Sequence, residues 1–213
     1  MKLHASEERG GHCHPLYTMM MRAVWRLARR NRYRGMEIGL FLCSSNGDFI
    51  EKKFCSALDL LAMSRSRCLA RLQRNTRGIL VMPLGTAIGE FFPPLKFCCL
   101  DEKHVSKDST LAEEIAATLV HEAAHAHLYT IGIGYPASLH LRIERLCHRR
   151  ELWFGKRIGS EAVCERAQEY LQQPDSFWAP EAQKTRWLNT LKKYEITGWL
   201  KKLFKYLIER RFA

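Results

Sequence analysis

The sequence predicts an α+β domain, a small antiparallel sheet packed beside a helical core, followed by a helical C-terminal extension. Three observations carry this. Segments 109–131, 137–157 and 160–173 show helical punctuation and spacing, while 78–100 breaks into short apolar runs separated by Gly and Pro. The chain has 213 residues, 46% hydrophobic and 26% charged, which is enough to bury a core without disulfide staples.

Residues 1–18 are polar, contain Gly10-Gly11 and carry His4, His12, Cys13 and His14, the composition of a loose tail. In 19–34, Met21, Val24, Trp25, Leu27 and Ala28 recur at helical spacing among arginines, so this segment reads as a basic helix. GMEIGLFLC, from Gly35, reads as a short strand, and SSNGD as a turn. Leu58, Leu61, Ala62, Cys68, Leu69 and Leu72 form an apolar stripe that predicts one helix over 55–74. Strands follow near 78–82, 86–92 and 95–100. The last two can form a hairpin around Pro93-Pro94, where proline points to a sheet edge or a strand end because it cannot donate to a ladder.

The strongest helix is 109–131. Ser109 or Thr110 can cap it, Glu113 and Glu114 suit the positive end of its dipole, and Gly132, Gly134 and Pro136 end it. Helices over 137–157 and 160–173 come next, and Pro174 and Pro180 mark a linker. In 199–212, Trp199, Leu200, Leu203, Phe204, Leu207 and Ile208 oppose Lys201, Lys202, Lys205, Arg210 and Arg211, a basic amphipathic helix. The chain thus divides into a tail (1–18), a main domain (19–173) and an extension (174–213).

Eight cysteines, none in a CxxC pair, do not form the dense framework of a small secreted scaffold. With no signal-peptide core and no run of 18 uncharged apolar residues, the expectation is reduced thiols in a cytoplasmic protein. The net charge of +12 favours contact with nucleic acid or an anionic membrane surface, the plainer reading being a solvated basic surface.

Chemistry is carried by His121-Glu122-Ala123-Ala124-His125, an HExxH sequence. Residues four apart share one helix face, so His121 and His125 can grip one ion. Glu122, beside them, can reach a zinc-bound water without being a ligand and act as its base. Other than Glu122, no charge falls between Ala116 and Thr130, as expected of a buried helix lining a dry site. A catalytic zinc takes three protein ligands and leaves one position open. The downstream candidates are His127, His140, Glu144, His148 and Glu151. If 109–131 and 137–157 pack antiparallel, Glu144 comes level with His125 to within roughly 2 Å at ~1.5 Å per residue. By the same measure His140 lies too near the turn and Glu151 too far beyond it. His148 comes level with His121, as runner-up ligand or as a partner orienting one.

HExxH followed by 18 residues and a glutamate resembles the gluzincin class of zinc metallopeptidases, including the large aminopeptidases of that class. The resemblance covers about residues 109–157 and implies Zn2+ held by His121, His125 and Glu144, Glu122 as general base, and a peptide or protein substrate. Thr118 fits the residue favoured at the start of that family's extended motif, whereas His127 stands where a hydrophobic residue is favoured. TLVHEAAHA with GIGY and RIERLCHRRE also looks like a group of small bacterial proteins with a zincin-like core. Thermolysin-like members orient a histidine with an acid four residues after the glutamate ligand. His148 stands there in this chain, which leaves backbone carbonyls or Glu151 for that task. The resemblance further suggests Tyr135 as an oxyanion donor, against an ordinary packing role, and the edge hairpin as a peptide-binding strand. A regulatory ImmA-like protease is a second possibility, with Glu151 replacing Glu144 as ligand. A third is a non-catalytic basic module that binds metal and contacts nucleic acid or membrane.

Overall fold

The computed structural model describes residues 15–41, 47–64, 67–84 and 87–193. The His-rich tail up to residue 14, Ser44 to Asn46 of the expected turn, and the basic helix expected over 199–212 lie outside the described residues.

The fold is α+β. A five-stranded sheet has the order β1-β2-β3-β5-β4, with helices against it. The expected antiparallel sheet is a mixed one: β1 (Arg29–Tyr33) pairs antiparallel with β2 (Met36–Leu40), β2 and β5 (Phe97–Asp101) each flank β3 (Gly78–Met82) in parallel, and β4 (Gly89–Phe92) runs antiparallel on the far edge of β5. The cause lies in the connections. A parallel pair needs a long crossover, and α2 (Gly47–Met63) with α3 (Cys68–Asn75) supplies it between β2 and β3. Every residue of β3 and β5 is buried, as suits parallel strands covered on both faces.

The helix expected over 19–34 is two elements. Helix α1 spans Pro15–Leu27, and Arg29–Tyr33 is a strand. Arg34 and Gly35, with φ of 44° and 75°, form a two-residue hairpin turn whose left-handed conformation suits the twist of the strands, and the pairing of Tyr33 with Met36 fixes the register. The single helix expected over 55–74 is likewise divided into α2 and α3, although its apolar stripe continues through both.

An apolar core lies on each face of the sheet. Ile38, Ile79, Val81, Cys98 and Leu100 face α2, α3 and α5 (Ala112–Thr130). On the opposite face Leu80, Phe97 and Cys99 pack against Met21, Val24 and Trp25 of α1, with Trp25 and Phe97 ring centroids 4.4 Å apart. A short helix, α4 (Glu102–Val105), is capped by Asp101, whose carboxylate accepts from the His104 amide. Helices α6 (Ala137–Ile158) and α7 (Glu161–Gln172) stack outside α5, followed by a 3-10 turn (Asp175–Trp178) and α8 (Pro180–Lys193). The expected linker after Pro174 therefore carries structure, and Trp178 is buried against the His148 ring at 5.4 Å. Among the described residues the six cysteines are free, and no helix is long and apolar enough to cross a membrane.

Candidate metal centre

Helix α5 is the wall of the site. Residues 115–126 are all buried, because one side of the helix meets the sheet core and another meets α6. The alanines at 116, 117, 123, 124 and 126 keep that side of the helix thin enough for both neighbours to approach. Its N-terminus is not capped by Ser109 or Thr110. The Glu114 carboxylate accepts from the Leu111 amide instead, while the Thr110 hydroxyl donates to the His104 carbonyl.

The antiparallel α5–α6 pair brings three expected ligand residues to one point. His121 Nε2 and His125 Nε2 lie 3.0 Å apart. Glu144 Oε2 is 3.6 Å from His121 Nε2, and Glu144 Oε1 is 3.7 Å from His125 Nε2. Donors bound tetrahedrally at 2.0–2.1 Å sit roughly 3.3 Å apart, so this triangle already has the dimensions of a metal's ligand face. Buried His121 and His125 with half-buried Glu144 could hold a metal ion, and Cys147, also buried, offers a further donor near the two imidazoles.

The other candidates are also placed. His148 comes level with His121, their rings 4.5 Å apart, and could join His121 and Glu144 around an ion. His140, expected too near the turn, reaches the Glu144 carboxylate at 3.5 Å. Glu151, expected too far along, meets the other side of His121: its Oε2 is 3.4 Å from His121 Nδ1 and 2.9 Å from His148 Nδ1. His127 is half-buried, away from these contacts. Arg145, one residue beyond Glu144, pairs with Asp175 at 2.7 Å. The Tyr135 ring packs on the His125 ring at 5.3 Å.

Burial and mutual charge set the protonation of the cluster in the absence of a cation. Burial disfavours the His121 imidazolium, but hydrogen bonds to Glu144 and Glu151 and the nearby Glu122 charge outweigh it and hold the ring's pKa up at about 10. Burial drives His125 down to about 3. Glu122 is pushed up to about 8, first by burial and then by the neighbouring carboxylates. For Glu144 and Glu151 burial acts upward, but the surrounding imidazoles, and for Glu151 also Arg166, win and hold both carboxylates below their usual range. Two imidazoles facing a carboxylate in a buried cluster are a donor set that a divalent cation would match.

Beside the triangle lies a cavity of about 140 Å³ lined by Ala87, Ile88, Gly89, His121, Glu122 and His148, among others. Edge strand β4 forms its roof, in the hairpin the sequence places at a sheet edge. Gly89 is there because nothing larger fits: a Cβ would lie 2.6 Å from Thr118 Cγ2 and 2.8 Å from Glu122 Oε1.

Three residues around the site are not foreseen from the motif and its spacing. Arg166 of α7 binds Glu151 Oε1, Tyr170 stacks on His148 at 4.6 Å with rings 9° from parallel, and Trp178 closes the far side. A signal was present. Val163, Arg166, Ala167 and Tyr170 follow i, i+3, i+4, i+7 spacing, so the arginine sits within the inward-facing stripe.

Comparison with family models, with curated proteins and with solved structures finds no match to this chain.

Proposed function

We propose that the chain is a zinc-dependent hydrolase acting on peptide bonds, with His121, His125 and Glu144 as metal ligands and Glu122 as the general base. The observation that carries the reading is the convergence of two imidazole nitrogens and one carboxylate, 3.0 to 3.7 Å apart, beside a second buried carboxylate at a cavity. Two imidazoles with a carboxylate suit zinc among the first-row ions. A bound zinc ion would supply Lewis acidity, polarising a carbonyl and acidifying a water. Glu122, buried at the cavity beside the ligand triangle, would accept a proton from that water and return it to the leaving amine. Strand β4 offers its outer edge to an extended peptide alongside the cavity. The turn of Glu151 toward His121 Nδ1, and not toward the point shared by the two Nε2 atoms, favours Glu144 as third ligand over the ImmA-like arrangement.

The test is metal content per chain for the wild type, His121→Ala, Glu144→Ala and Glu151→Ala, with hydrolysis of a peptide panel by the wild type and Glu122→Gln. The reading requires about one zinc per chain, lost in His121→Ala and Glu144→Ala, and hydrolysis abolished in Glu122→Gln with metal retained. A wild type that holds zinc and cleaves no peptide refutes the peptidase.

Cys147 favours one rival. Its sulfur lies within 4.8 Å of donor atoms of His121 and His125, and a thiolate there would close the fourth position and make the centre structural. A thiolate-to-metal charge-transfer band in the cobalt-substituted protein, absent from Cys147→Ser, would establish that closed centre.

A further inference from the structure

Glu151 shares a single oxygen between two imidazoles. Its Oε2 faces His121 Nδ1 at 3.4 Å and His148 Nδ1 at 2.9 Å, while its Oε1 is bound by the Arg166 guanidinium. This division of labour places a hydrogen-bond acceptor against the Nδ1 side of each ring and leaves Nε2 as the lone-pair side. For His121, Nε2 is the atom in the ligand triangle. The carboxylate is 3% exposed and sits in a cluster that already contains Glu122 and Glu144, so its orientation depends on a cation that touches neither of those two.

Arg166 is built to be that cation. It reaches in from α7 and also contacts α5, with Nη2 3.3 Å from the Glu114 carbonyl and 3.4 Å from Thr118 Oγ1, and Nη1 3.6 Å from the Glu114 carboxylate. Thr118 in turn donates to the Glu114 carbonyl at 2.9 Å, one turn before His121. The guanidinium therefore ties three helices together on the side of His121 away from the ligand triangle. Its planar, forked donors can serve a carboxylate and a carbonyl at once, which a lysine ammonium does only as a point charge. The approach of α7 depends on Gly155 of α6, where a Cβ would lie 2.7 Å from Val163 Cγ1.

We propose that Arg166 is a positioning residue of the metal centre, acting through Glu151 to aim His121 Nε2 at the ion and to hold His148 toward the cavity. The inference rests on the metal-binding part of the function proposed above, and it assigns a fixed role to a helix outside the HExxH–glutamate pair.

The experiment measures the dissociation constant for Zn2+ by chelator competition, and the visible spectrum of the Co2+ form, for the wild type, Glu151→Gln, Arg166→Gln and Arg166→Lys. Thermal unfolding of each metal-free protein reports the purely structural cost. Glu151→Gln and Arg166→Gln are expected to weaken Zn2+ binding by about 10- to 100-fold, the usual effect of removing an outer partner of a ligand. Both should also alter the Co2+ bands, and Arg166→Lys should recover part of each effect. Unchanged affinity and spectrum in Arg166→Gln, with the wild type binding metal, would overturn the positioning role while leaving the proposed function intact. A wild type that binds neither ion would remove both. If Arg166→Gln does not fold, Arg166→Lys decides: affinity and spectrum identical to the wild type's would overturn the positioning role, and weakened binding with shifted bands would support it.

Discussion

Replacing Gly89 by alanine tests how tightly β4 is pressed on α5. The added methyl would fall 2.6 Å from Thr118 Cγ2, about 0.8 Å inside the 3.4 Å at which ordinary contact begins, and 2.8 Å from Glu122 Oε1. The carboxylate oxygen ends a flexible side chain and can swing aside. Thr118 cannot, because a β-branched side chain on a helix has little rotamer freedom and its hydroxyl is engaged with the Glu114 carbonyl. The strand must therefore move, although its pairing with β5 on one side resists this. Overpacking of this kind costs about 1–3 kcal/mol. With a urea dependence of ~2 kcal/mol per molar, the unfolding midpoint should fall by about 0.5–1.5 M. Thr118→Ser removes the clashing methyl and keeps the hydroxyl, so Gly89→Ala should cost about 1 kcal/mol less in that background, read as a coupling energy in a double-mutant cycle. A penalty that is absent, or identical in both backgrounds, refutes the close-contact argument.

Other outcomes follow from the same structure. Phe154→Ala, at a fully buried position on α6, should destabilise by about 3–5 kcal/mol in denaturant titration. Zinc at a hundred times its dissociation constant should stabilise the wild type by about 2.7 kcal/mol, seen as a raised melting temperature that a chelator reverses and that Glu144→Ala largely lacks. The hydrogen bond from Arg34 holds the Asp59 carboxyl below its ordinary value of 3.8. The unfolded chain therefore binds the proton more readily, so the contribution is complete above about pH 4 and fades as pH falls through the folded-state value. The stability difference between wild type and Asp59→Asn should shrink on acidification, and a difference that does not vary between about pH 6 and about pH 2 would refute it.

The central helix and the meeting of its two imidazoles with Glu144 were legible because they are local. HExxH spacing, the run without charge around it and the glycines and proline after it are all contiguous in sequence, and the rise of a helix suffices to bring Glu144 level with His125. The position of Glu151 was half visible, as a possible orienter that lay too far along α6 to be the third ligand, and its Oε2 does face His121 Nδ1. What failed was non-local. Whether β2 and β3 run parallel is decided by where α2 and α3 dock, which no strand pattern contains. The break between α2 and α3 was hidden because Leu58, Leu61 and Leu72 face the same core on both sides of it. Arg29–Tyr33 lacks an apolar alternation because its flanks are an edge and solvent, and only the pairing with β2 makes it a strand.

The order of the centre's parts along the chain bears on biosynthesis. The two imidazoles leave the ribosome first, then Glu144 and Glu151 on α6, and Arg166 last, on α7. A growing chain that has released α5 alone presents a pair of histidines on a helix so apolar that it gains a stable setting only from neighbours still to come. If the centre holds an ion, firm retention would be a late event coinciding with the docking of α7, and premature termination before that helix would leave an apolar helix exposed.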